Sequence, residues 1–151
     1  MSWYEAVAFC CWLSAKTITT IRLPTEWEWQ QTATGGDPER EYPWEGGWDG
    51  AYCNSDESPL RRTTAVGMYP QGATRQGVMD MAGNVWEWCV NEHESPERPA
   101  AVRIHKGGGR RVLRGGSWLN APGNLRASGR SGGNAGSRDN GLGFRFLQDL
   151  P

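Results

Sequence analysis

Arg111-Val-Leu-Arg-Gly-Gly-Ser-Trp118 opens and Gly143-Phe-Arg-Phe146 closes the stretch on which the reading of this chain turns. Between the two brackets lie twenty-four residues, Leu119 to Leu142, made mostly of Gly, Asn, Ser, Ala and Arg. The brackets read as strands, with Val112 and Leu113 before the glycine pair and Phe144 alternating with Phe146. The middle has an apolar period of neither two nor 3.6 residues and is expected to be irregular. A run of that length without secondary structure inside a compact domain is uncommon and usually functional or disordered, and residues 111–146 are read as a candidate binding surface on one domain spanning 1–151.

Composition narrows the function classes. A net charge of −1 provides no global field for nucleic acid, an anionic membrane or an acidic substrate. No apolar run approaches membrane-spanning length, and no charged-then-apolar leader opens the chain, so a cytoplasmic protein is expected. Nine tryptophans and twenty-one glycines suggest irregular loops pinned by large rings. The cysteines Cys10, Cys11, Cys53 and Cys89 form no Cys-x-x-Cys pair and read as buried thiols in a reducing compartment.

Upstream of the bracketed stretch, Ser2-Trp-Tyr-Glu5 and Thr25-Glu-Trp-Glu28 each fit a capping box. The first predicts a helix to about Ser14, largely buried through Trp3, Val7, Cys10 and Cys11 and widened by Phe9, Trp12 and Leu13. The second predicts a helix over Glu26 to Thr34, stopped by Gly35-Gly36, in which Glu26 and Glu28 serve the helix start. Ile18 to Leu23 reads as a short strand between them. Asp37 to Gly77 is loop-like, with Tyr42, Trp44, Trp48, Tyr52 and Tyr69 anchoring it to a core. Val85 to Val90 alternates as a strand. Beside its turn, Asn84 and Glu87 offer oxygen ligands for a calcium ion, the one cofactor the residues suggest. Asn91 to Arg110 is a polar connector, where His93 and His105 lack ligand spacing to any other His or Cys.

Six motifs then fall in one order: Ser2-Trp-Tyr-Glu-Ala-Val-Ala-Phe-Cys10, Arg22-Leu-Pro-Thr-Glu26, Tyr42-Pro-Trp44, Asp80-Met-Ala-Gly-Asn-Val-Trp-Glu-Trp88, Arg114-Gly-Gly-Ser-Trp118 and Gly143-Phe-Arg145. Together they resemble the formylglycine-generating-enzyme superfamily over essentially the whole chain. The resemblance implies an α+β, C-type-lectin-like fold with two helices, small antiparallel sheets and much ordered loop. Members of that superfamily carry a further N-terminal strand. Without it an unpaired sheet edge is expected, and with it a route to self-association.

The superfamily holds enzymes and binders, so the fold leaves function open. Its oxidases place copper-binding cysteines at positions that correspond here to Asn120 and Leu125. An amide and an aliphatic side chain do not replace thiolates as soft ligands, which implies a chain without that enzymatic chemistry. The branch it resembles most is the variable proteins of diversity-generating retroelements, whose C-terminal patch is rewritten at asparagine codons. Laying that pattern between Trp118 and Gly143 keeps Arg126, Ala127, Arg130 and Arg138 as landmarks. The positions implied to vary and to bind ligand beside Trp118 are Leu119, Asn120, Ala121, Asn124, Gly129, Ser131, Gly133, Asn134, Ser137, Asp139, Asn140 and Gly141. Each residue is reachable from an asparagine codon by adenine changes alone. The guanidinium forks of the landmark arginines are expected to bind loop carbonyls and hold the backbone. The expected partner is a protein or a surface polymer. A formylglycine-generating-type oxidase or accessory protein, or a sensor module of a larger signalling protein, are the alternatives.

Overall fold

A computed structural model describes residues 1–95 and 109–149. Two capped helices clasp a small sheet. The first, α1 (Trp3–Thr17), begins where Ser2 Oγ accepts from Glu5 N while Glu5 Oε2 accepts from Ser2 N at 2.8 Å. The second, α2 (Glu26–Thr34), repeats the reciprocal cap through Thr25 and Glu28 and ends at Gly35 in the left-handed region. Helix α1 therefore runs past the expected Ser14. The Ser14 hydroxyl donates to Cys10 O, within bonding distance of Ile21 O too, and accepts from Ile21 N. Ile18 takes φ 56 as the C-cap, which leaves only Ile21–Arg22 (β1) of the strand expected over residues 18–23.

Strands β2 (Trp86–Glu92), β3 (Arg110–Arg114), β4 (Arg130–Asn134) and β5 (Leu142–Gly143) form a four-stranded sheet in the order β4-β3-β2-β5. The pairing of β5 with β2 is parallel, so the sheet is mixed where antiparallel pairing was expected. A separate antiparallel pair joins β1 to β6 (Leu147–Gln148). Phe144 and Phe146 lie between β5 and β6 and belong to neither, because Arg145 turns the chain inward at that point. The connector expected over Asn91 to Arg110 is shorter, since β2 continues through Glu92 and β3 begins at Arg110. His105, with Glu97, Arg103 and Lys106 around it, lies outside the described residues.

Alternation along the sheet divides the core. Trp88, Val90 and Leu113 face α1 and pack with Trp3, Val7 and Cys10. Cys89 and Val112 face the other way and pack with Trp29 and Ala33 of α2. A third cluster joins Tyr42, Trp44, Cys53 and Ala82 of the loops to Leu125, as expected of the loop aromatics. Tyr42 and Trp44 stack with ring centroids 5.2 Å apart.

One face of α1 is drier in expectation than in fact. Trp3, Ala6, Val7 and Cys10 are buried, but Cys11 is exposed and Trp12 is 54% exposed. The sheet reaches only as far as one stripe of the helix. The other three thiols are buried, and burial pushes Cys53 up to about 12 with help from Glu57 and Asp49.

Candidate functional site

The segment between Trp118 and Gly143 is not structureless. It makes a single 3-10 turn at Pro122–Asn124 and then enters the sheet as β4, in register with β3 from Arg110↔Asn134 to Arg114↔Arg130. Propensity hides this strand, since Arg-Ser-Gly-Gly-Asn is poor in strand formers, and ladder pairing with β3 outweighs it.

Three arginines fasten the segment to the front of the chain. Arg126 Nε meets Glu41 Oε1 at 2.8 Å, Arg130 Nε meets Glu26 Oε1 at 2.7 Å, and Arg138 binds both oxygens of Glu5 at 2.9–3.1 Å. The landmark arginines thus bind carboxylates, not chiefly the loop carbonyls expected of them. Among the described residues, only Arg130 of the three also takes a carbonyl, His93 O at 2.8 Å. Arg138 and the Ser2 cap together hold the Glu5 carboxyl at about 2, far below the usual carboxylate range, and Glu5 raises the arginine in turn. The Tyr42 hydroxyl and Glu41 do the same for Arg126. A fourth guanidinium, Arg114, reaches the segment from β3 by donating to Ala127 O at 2.7 Å and Ser128 O at 3.3 Å.

A shallow groove of about 500 Å³ opens on the α1 side of the sheet. Leu119, Asn120, Gly133, Ser137, Asp139 and Gly141 line it, so six of the positions implied by sequence meet in one place. Trp86, Ser117, Arg138 and Leu142 complete the wall and were not anticipated as lining. The alternation of β2 points Trp86 the same way as Trp88, a signal that was available. Asn120 stays half-buried, its Oδ1 accepting from Ser117 N at 3.0 Å and Ser117 Oγ at 2.7 Å. Asp139 and Ser137 are exposed, and Asp139 Oδ1 accepts from Gly141 N at 2.8 Å.

The other positions do not line the groove. Ala121, Asn124, Asn134 and Asn140 are exposed, and Ser131 and Trp118 are half-buried. Two of the glycines implied to vary lack the room for it. A Cβ on Gly133 would stand 2.6 Å from the Trp88 ring, and one on Gly129 would stand 2.6 Å from Asn124 O. Neither accepts a side chain on this backbone. Gly141 is buried, yet its nearest neighbours, Ser117 Oγ at 3.4 Å and Asp139 Oδ1 at 3.5 Å, leave room for a small one.

The oxygens proposed for calcium are engaged elsewhere. Arg145 spans both Glu87 oxygens at 2.6 and 2.8 Å, and Trp29 Nε1 donates to Oε2 at 2.8 Å. Asn84 Oδ1 accepts from Thr64 N at 2.9 Å. A guanidinium spanning the only carboxylate of the pair repels a divalent ion, so these residues do not fit calcium. Among the described residues no group of three or more His, Cys, Asp or Glu is placed to hold a metal. Leu125 is fully buried in the loop aromatic cluster.

Residues 1–150 match the family described as the sulfatase-modifying factor enzyme 1-like domain. The chain belongs to this family. Among relatives of the sulfatase-modifying factor family, the serine/threonine-protein kinase Pkn1 of Chlamydia trachomatis is 35% identical over 99% of this chain and 24% of its own. The hercynine oxygenase of Mycolicibacterium smegmatis is 37% identical over 87% of this chain and 32% of its own. The inactive C-alpha-formylglycine-generating enzyme 2 of Bos taurus is 31% identical over 96% of this chain and 48% of its own. The chain thus spans between about a quarter and a half of the length of these relatives. Among solved structures, Treponema denticola variable protein 1 superposes with a TM-score of 0.79 at 25% identity, covering 97% of this chain and 68% of that one. The mixed α and β architecture is that of this family's C-type-lectin-like fold. No helix among the described residues is long and apolar enough to cross a membrane.

Proposed function

We propose that this chain is a non-enzymatic ligand-binding variable protein of a diversity-generating retroelement, presenting its C-terminal segment to another macromolecule. The observation that carries the reading is the fastening of that segment. Guanidinium–carboxylate contacts reach it from Glu5, Glu26 and Glu41, while six of its intervening positions line one groove. A backbone held from outside its own variable positions can change those side chains at little cost to folding. The superposition on Treponema denticola variable protein 1 supports the same reading. Gly129 and Gly133 leave the implied set, so the proposal rests on the other ten of the twelve positions.

The resemblance sets Asn120 and Leu125 at the oxidases' copper-ligand positions, and neither is a soft ligand. Asn120 caps its own turn through Oδ1, and Leu125 fills an apolar cluster. A titration with Cu(I) against a competing chelator is expected to show no tight uptake by the folded chain.

The partner is a protein or a surface polymer, because the groove is shallow and its margin is spread over several loops. The gene offers the test. An adenine-rich near-copy of codons 119–141 beside a reverse transcriptase gene is expected, differing only where the copy has adenine. Purine-ending codons at most of the ten positions, or the lack of any such copy, overturns the proposal. The match to 24% of a kinase favours a second reading, a recognition module within a larger signalling protein. A kinase domain encoded in the same reading frame would select it.

A further inference from the structure

A second cavity lies on the opposite side of the sheet from the groove. Its volume is about 490 Å³, and it runs along the outer side of α2. Val112 and Arg114 alternate onto this side of β3, whereas Gly133 and Trp86 border the groove on the other. The wall includes Trp27, whose side chain is 66% exposed although it is the largest in the protein's repertoire. Most of this indole's surface is therefore open to solvent beside the cavity.

The floor beside that indole is a set of paired donors and acceptors. Glu26 is buried, and its Oε1 takes both Arg130 Nε at 2.7 Å and Arg114 Nη1 at 3.4 Å. Glu26 Oε2 takes no protein hydrogen bond among the described residues, nor does Arg130 Nη1. Gln30, Gln31 and Ser128 add two amides and a hydroxyl to the same walls. One carboxylate faces two guanidiniums, so the floor carries one positive charge in excess and repels a bare cation. What it offers is an acceptor beside a donor, repeated, under a flat apolar ring.

We infer that the cavity beside α2 binds a neutral pyranose unit of a saccharide, its carbon-bound hydrogens laid on the Trp27 indole and its hydroxyls shared between the Glu26–Arg130 pair and the Gln30 and Gln31 amides. A sugar ring has that division of surfaces: an apolar face of C–H groups, and a rim of hydroxyls that donate and accept at once. The cavity is large enough for a ring with room for a neighbour, and open enough for a chain to pass. This site is separate from the C-terminal groove, so it would persist while that groove changes.

The test is a titration of the ¹⁵N-labelled chain with neutral methyl glycosides, followed at the tryptophan indole N–H resonances. Trp27 is expected to shift saturably with a millimolar Kd. Trp27→Ala should weaken binding by about tenfold or more, and Trp27→Phe should restore part of it. Because the side chain is exposed, both variants should fold, which the remaining indole resonances report. Sodium acetate and inorganic phosphate serve as the anion controls. No saturable shift with any glycoside, an equal shift with either anion, or undiminished glycoside binding by Trp27→Ala would each overturn the assignment.

Discussion

Arg145 spans the carboxylate of Glu87, Nε to Oε2 at 2.6 Å and Nη2 to Oε1 at 2.8 Å, and so ties the closing Gly-Phe-Arg motif to the central strand β2. The same Oε2 accepts the buried indole N–H of Trp29, which extends the tie to α2. Removing one partner of a buried pair leaves the other charge and the indole without compensation. Glu87→Ala is therefore expected to destabilise the fold by about 3–5 kcal/mol, read from urea unfolding. A loss below about 1 kcal/mol would show that the pair is incidental.

Not every residue of the candidate patch is interchangeable. Gly133→Ser drives a side chain to 2.6 Å from Trp88, a fully buried ring, and should cost about 1–3 kcal/mol from overpacking. Ser137→Tyr places a larger group on an exposed position of the same groove and should change stability by less than about 0.5 kcal/mol. Thermal unfolding of the two variants separates them. Equal losses would mean that β4 yields to substitution as readily as the loop does.

Acid stability should respond to Glu28. Its carboxyl is held at about 2, below the ordinary 4.5, first by Arg22 and then by the Thr25 cap. A carboxyl depressed in the folded state adds stability above its unfolded pKa and loses it as pH falls through the folded value. The contribution should therefore fade between about pH 4.5 and pH 2. Glu28→Gln should flatten that part of a stability-against-pH curve. An unchanged slope would show that Arg22 is satisfied by Asp149, which it also binds at 2.8 Å.

Thiol reactivity should follow burial. Cys11 is exposed, whereas Cys10, Cys53 and Cys89 are buried. One thiol should react quickly with an aromatic disulfide reagent in the folded state, and all four should react in denaturant. Cys11→Ser should abolish the fast phase. Two fast thiols would indicate that the start of α1 opens readily.

How far the residues alone could be read differs from element to element. The capping boxes at Ser2 and Thr25 placed both helix starts, because a cap is satisfied within one turn of chain. Leu113, Trp88 and Val90 were legible as core because alternation is local too. Strand β4 was hidden, since its two glycines carry no pattern and its pairing depends on β3, whose Arg110 pairs with Asn134 twenty-four residues downstream. The exposure of Cys11 and Trp12 was hidden for a related reason: an apolar helix face reveals what can be buried, and the partner surface decides how much is.

Residue order by itself determined the family, the helix starts and the bracketing motifs. All of these are carried by local covalent neighbours and their spacing. Tertiary structure alone decided that Glu5, Glu26 and Glu41 grip arginines 85 to 133 residues away, and that Gly129 and Gly133 must stay bare. Charge pairing and steric contact act through space at a few ångströms. Chain order does not record which distant groups folding brings within that range.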